Sequence, residues 1–190
     1  MAQRTLFTVG HSTRQWKDFI DLLHAWKIEE VVDVRTIPRS RAFPWFAKVR
    51  MEKALPKVKV RYCHLPELGG LRHSNKGSAN TGWRNASFRG YADYMQAEEF
   101  ERGLKQLNDL RKKRRACIMC SEAVWWRCHR RMIADAEVAR GIPVKHIMSE
   151  SVAKPHDLTE FAVVKKRRGR VPMIWYPDQA AKTSKTVKNG

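Results

Sequence analysis

The chain has 190 residues, with 38 Lys or Arg against 19 Asp or Glu and a formal net charge of +19 at pH 7. This length suits one domain around one sizeable core, and no apolar run approaches the roughly 18 residues of a membrane span. The first residues lack the order of a signal peptide, and four cysteines among seven histidines read as reduced thiols in the cytoplasm rather than a disulfide framework.

TLFTVG (5–10) is a short β-rich run ending in Gly10. A helix follows: Thr13 is its expected N-cap, and Trp16, Phe19, Ile20 and Leu23 fall at helical spacing. EEVVDVR (29–35) reads as a buried strand, followed by a basic loop with two prolines and a short helix to about Leu55. KVKVRYCHL (57–65) alternates like a strand, and 66–90 is a loop rich in Gly, Ser and Asn. Residues 91–113 read as one helix with Tyr94, Phe100, Leu104, Leu107 and Leu110 on its apolar stripe. ACIMC (116–120) is a strand, 128–141 a helix stopped by glycine, and PVKHIM (143–148) a fifth strand.

Strands alternating with helices predict a three-layer α/β domain over 1–150, a mainly parallel sheet of about five strands with helices on both faces. Residues 151–190 read as a basic C-terminal extension, partly disordered. That extension carries +6 of the +19, which leaves +13 on residues 1–150. The excess therefore belongs to the whole chain. A long polyanion is the expected partner, because Lys and Arg that neutralise phosphates release counterions.

In such sheets ligands bind outside the carboxyl ends of the strands. Strand one delivers His11 and Ser12 there, and strand two delivers Asp33, Arg35 and the loop to Ser40. Strand three delivers Cys63, His64 and Glu67, strand four Cys120 and Glu122, and strand five His146. The stretch CIMCSEAVWWRCHRR (117–131) is the fourth strand's exit and a helix N-terminus at once.

The segments VGHSTR, VVDVRTIPRSR, HLPELGGLR, FRGYADYM and CSEAVWWRCHRRMIADAEVARGIPVKHI occur in this order over residues 8–148. They resemble the bacterial and archaeal family called domain of unknown function 488. The resemblance implies an α/β fold and an active site without an established reaction. Its typical positions fall on His11, Ser12, Asp33, Arg35, Pro38, Glu67, Gly69, Gly70, Cys120, Glu122, Cys128, His129 and Arg130.

Several chemistries fit the cysteine-rich stretch. Cys117 and Cys120 have half the spacing of a zinc site, but residues three apart on a strand point to opposite faces and cannot chelate together. Cys120, Cys128 and His129 can still converge, with His64 or Cys63 as a fourth ligand; no cofactor is expected, and a metal ion stays an open alternative. Cys120 lies seven residues before Arg127, one more than in the cysteine-dependent phosphatases, and the loop lacks their glycines, which excludes that machinery. Arg127, His129, Arg130 and Arg131 sit at a helix N-terminus, against its dipole, so an anion is expected to compensate them. Cys128 beside these cations is expected to have a lowered pKa. Trp83, Trp125 and Trp126 either stack on bases or close the core.

The expectation is a hydrolase or transferase acting on nucleic acid or a nucleotide-like phosphate ester. Glu122, Cys120, His11 and Asp33 are the catalytic candidates. Ser12, Arg35, Ser40, Glu67, Gly69, Gly70, Arg72, Cys128, His129 and Arg130 are the anion- or substrate-binding candidates. The alternatives are a non-catalytic nucleic-acid-binding module and a metal or redox sensor built on Cys120 and Cys128.

Overall fold

A computed structural model describes residues 4–165 and 171–178. Its centre is a six-stranded sheet in the order β3-β2-β4-β1-β5-β6. The strands are β1 (Leu6–Gly10), β2 (Glu30–Asp33), β3 (Arg61–His64), β4 (Ala116–Cys120), β5 (Val144–Ile147) and β6 (Ala153–Pro155). The first five run parallel and β6 pairs antiparallel with β5. β1 and β4 lie at the centre and are buried at every position, as expected of parallel strands covered on both faces.

The period-two alternation divides the core. Phe7, Val9, Val31, Cys117 and Met119 face one layer, where they meet Phe19, Leu22 and Leu23 of α1 (Trp16–Ala25) and Met51 of α2 (Lys48–Ala54). Leu6, Val32, Ile118 and Cys120 face the other, against α4 (Glu98–Lys113) and α5 (Arg130–Ala139). Cys117 and Cys120 thus lie in different layers, as their spacing requires.

The single helix expected over 91–113 is two: α3 (Ala86–Tyr94) and α4, separated at Met95–Ala97. Asn85 caps α3, its side chain accepting from the amides of Ser87 and Phe88. Ala97 takes extended backbone angles before α4, whose first turn carries Glu98, Glu99 and Glu101, acidic groups that suit a helix N-terminus. The 66–90 loop is tied down through Asp93, which accepts from the Asn75 amide, Ser78 Oγ and Asn80 Nδ2.

The expected extension continues the fold in its described part. Besides β6, β7 (Val163–Lys165) and β8 (Met173–Trp175) form a hairpin. Ile174 and Tyr176 are buried in the same layer as α4 and α5. Residues 166–170 and 179–190, where much of the tail's charge falls, lie outside the described residues. Among the described residues no helix is long and apolar enough to cross a membrane.

Candidate functional site

β1 and β4 end side by side, with Gly10 opposite Cys120. The pairing runs on past both strands: the His11 amide donates to the Cys120 carbonyl (2.9 Å) and the Ser12 amide to Ser121 (3.0 Å). Gly10 is required here, because a Cβ would stand 1.9 Å from the Glu122 carbonyl oxygen that crosses it. Ser12 holds a left-handed φ of 49° to turn the chain away, a strained conformation of the kind stored at functional sites.

Beyond Glu122, a 3-10 turn (Trp125–Arg127) returns the chain so that Cys128 and His129 stand beside Cys120 at the start of α5. The Cys120 and Cys128 Sγ atoms and a His129 ring nitrogen all lie within 4.8 Å of one another. The three residues are buried but line a cleft of about 350 Å³. His129 Nε2–H donates to the Val34 carbonyl at 3.0 Å, which leaves Nδ1 facing Cys128 Sγ at 3.7 Å. The loop opposite His129 must be bare: a Cβ on Gly70 would lie 2.5 Å from His129 Nδ1.

Arg130 is 1 % exposed. Its Nε donates to Cys128 Sγ (3.3 Å), its Nη2 to the Glu122 carbonyl (2.5 Å) and its Nη1 to Thr8 Oγ1 (3.4 Å). Burial alone raises the Cys128 pKa. The hydrogen bond from the Cys120 thiol, the Arg130 guanidinium and the Arg130 amide outweigh that and hold it at about 6. Cys120 keeps the shared proton: its hydrogen bond to Cys128, then burial, push it up to about 12. Of the cations gathered at this helix N-terminus, Arg130 is therefore answered from within the chain by Cys128, while Arg131 turns to Thr159 and Arg127 lines the cleft.

The other expected residues divide. Arg35 lines the cleft. Its guanidinium is held by Asp33 (Nε–Oδ1 2.9 Å, Nη2–Oδ2 2.6 Å) and the Phe46 carbonyl (2.7 Å), and Nη1 donates to His11 Nε2 (3.2 Å). By donor count one Nη1 proton is left over. His11 is stacked on Phe46. Burial, then Arg35, lower its pKa to about 4. Its Nε2 lone pair faces Arg35, so it orients that side chain rather than taking a proton from a ligand. Asp33 is completely buried and accepts from Arg35 and from Tyr62 O–H (2.7 Å). It sits behind the cleft, and the acid–base role expected for it gives way to anchoring Arg35.

Glu122 and Ser40 reach the cleft, Glu122 exposed and Ser40 accepting from the Phe43 amide (3.0 Å). Glu67 and Arg72 do not. Glu67 Cβ packs against the Gly103 position on α4, and Arg72 lies 3.6 Å over the Tyr94 ring. Gly69 packs against Thr36, and Ser12 serves the turn. The expected convergence of His11, Arg35, Cys120 and Glu122 is present, and Glu67 lies outside it because its 3-10 turn (Pro66–Leu68) docks on α4.

The cleft also includes Arg127, one of the helix-terminus cations expected to meet an anion, together with Arg39, which is not among the binding candidates above, and exposed Ile37 and Leu71. Arg39 was legible as the first cation of PRSR (38–41), in the loop after the second strand. Trp83 packs among Phe88, Phe161 and Tyr176 and so closes the core, half-buried Trp125 lies flat on His146, and Trp126 is exposed.

The family model described as domain of unknown function DUF488 matches residues 15–137. No curated protein and no solved structure matches the chain.

Proposed function

The chain belongs to the DUF488 family, and on that footing we propose that its cleft is the active site of a cytoplasmic enzyme acting on nucleic acid or a nucleotide-like phosphate ester. One observation carries this reading: Cys128, with Arg130 donating to its sulfur, stands at the floor of a cleft that Arg35, Arg39 and Arg127 also line. Guanidinium groups match phosphate oxygens in charge and geometry. Cys120, Cys128 and His129 supply the reactive centre, and Glu122 at the mouth is the acid–base group. The net charge of +19 extends the attraction beyond the cleft.

The test uses a short single-stranded oligonucleotide and a panel of nucleotides. Filter binding should show affinity falling roughly a thousandfold between about 50 and 200 mM salt, and chromatography of the incubated panel should show turnover that Cys128→Ser abolishes. Binding without turnover would make the chain a binding module; no retention at low salt and no turnover would end the reading.

A further inference from the structure

We infer that Cys120, Cys128 and His129 form a metal site for a soft divalent cation of the zinc class, with three protein ligands and a fourth position open to the cleft. The inference deepens the proposed function, because it names what the reactive centre holds.

Three independent observations support it. The first is distance. A tetrahedral zinc with ordinary Zn–S and Zn–N bonds separates sulfur from nitrogen by about 3.6 Å and sulfur from sulfur by about 3.8 Å. Cys128 Sγ and His129 Nδ1 are 3.7 Å apart, and all three donor atoms fall within 4.8 Å of one another. The second is the orientation of the imidazole. His129 Nε2–H donates to the Val34 carbonyl at 3.0 Å, the outer hydrogen bond that metal-ligating histidines characteristically make. It directs the Nδ1 lone pair to the side of the sulfurs. The third is the surroundings. Arg130 Nε donates to Cys128 Sγ at 3.3 Å, and an N–H···S bond of this kind supports a ligating thiolate.

The donor set selects the ion. Two sulfurs and an imidazole favour zinc-class cations over magnesium or calcium, which take oxygen ligands. The number of ligands selects the kind of site. Among the described residues the cluster has three members, and structural zinc sites close with four. Three protein ligands beside an open cleft are the arrangement of a site that binds water or substrate. Cys117 takes no part, being buried in the opposite layer.

Cobalt(II) reports the test, because thiolate ligation gives a ligand-to-metal absorption band and tetrahedral geometry gives intense visible bands. The reduced, metal-stripped full chain titrated with cobalt(II) should saturate at one ion per chain. The bands should vanish in Cys120→Ser and Cys128→Ser and persist in Cys117→Ser and Cys63→Ser. Should a buried variant fail to fold, the wild-type chain carries the second measurement: zinc should slow iodoacetamide labelling of Cys128 about tenfold or more, since a ligating thiolate is not free to attack, while labelling of Cys63 is unchanged. Absence of the thiolate band at saturating cobalt, or no protection by zinc, overturns the inference. If the oligonucleotide still binds at low salt in that case, the reading of the cleft survives without the metal. Cobalt bands with no binding and no turnover would leave the metal site standing and remove the proposed substrate.

Discussion

The cleft and the sealed network behind it are built from the same residue types and meet at Arg130. In the network each polar side chain is hydrogen-bonded to the next. Arg130 Nη1–H reaches Thr8 Oγ1 (3.4 Å), Thr8 O–H donates to His146 Nδ1 (2.7 Å), His146 Nε2–H to His156 Nδ1 (2.9 Å), and His156 Nε2–H to Asp135 Oδ1 (3.0 Å). Asp135 also accepts from the Thr159 amide and hydroxyl and from Tyr176 O–H. His146 stays neutral in this run, because burial, then His156 and Arg130, hold its pKa at about 2. Trp125 covers His146 with ring centroids 4.1 Å apart. In the cleft, by contrast, the two cysteines share one thiol proton and the His129 Nδ1 beside them carries none, at the buried floor of an open cleft. Residue type therefore does not separate the sealed network from the candidate site; unspent bonding capacity next to solvent does.

The contrast can be broken at its sealed end first. Asp135→Ala leaves His156, Thr159 and Tyr176 with buried, unpaired donors, and should cost about 3–5 kcal/mol in urea unfolding. A loss under about 1 kcal/mol would mean that the network is not structural. Next comes the shared residue. Arg130→Met removes the cation beside Cys128, and labelling of Cys128 by iodoacetamide at pH 7 should fall about tenfold, as a rise of about two pKa units from about 6 requires. Unchanged labelling would detach Arg130 from the cleft.

Smaller effects sharpen the same comparison. In the metal-free chain, labelling of Cys128 should rise with pH around a midpoint of about 6. The sign for stability follows from proton counts: between about 6 and the ordinary cysteine value of 9.0 the unfolded chain binds the proton and the native thiolate does not. Cys128 thus stabilises the fold increasingly as pH rises through that window. The raised Cys120 value acts in the opposite direction above it. Urea midpoints at pH 6 and 8.5 should therefore diverge between the wild-type chain and Cys128→Ser, with the wild type gaining more at the higher pH. The smallest stability effect is expected for exposed Arg127: Arg127→Ala should leave unfolding within about 0.5 kcal/mol while lowering the slope of log affinity against log salt by about one. A loss of stability there would make it structural.

The sequence by itself determined the alternation of strands and helices, the parallel sheet, the edge at which the site lies and the family. These follow from local periodicity and chain order, which need no knowledge of what packs on what. It also determined that Cys117 and Cys120 part company, because a strand has period two. The break between α3 and α4 was partly legible in Glu98, Glu99 and Glu101, whose charges mark a new helix start.

Only the tertiary structure decided which residues at that edge face the cleft. Asp33 turns inward to hold Arg35, Glu67 follows its turn onto α4, and Arg72 goes to Tyr94. It also joined His146 on β5 to His156 and to Asp135 on α5, and placed Cys120 within 4.8 Å of Cys128 and His129 across the returning loop. Position along a strand is a property of the chain. The direction in which a buried polar side chain points is set by the partner that satisfies it, and here those partners lie up to 138 residues away, as Thr8 does from His146.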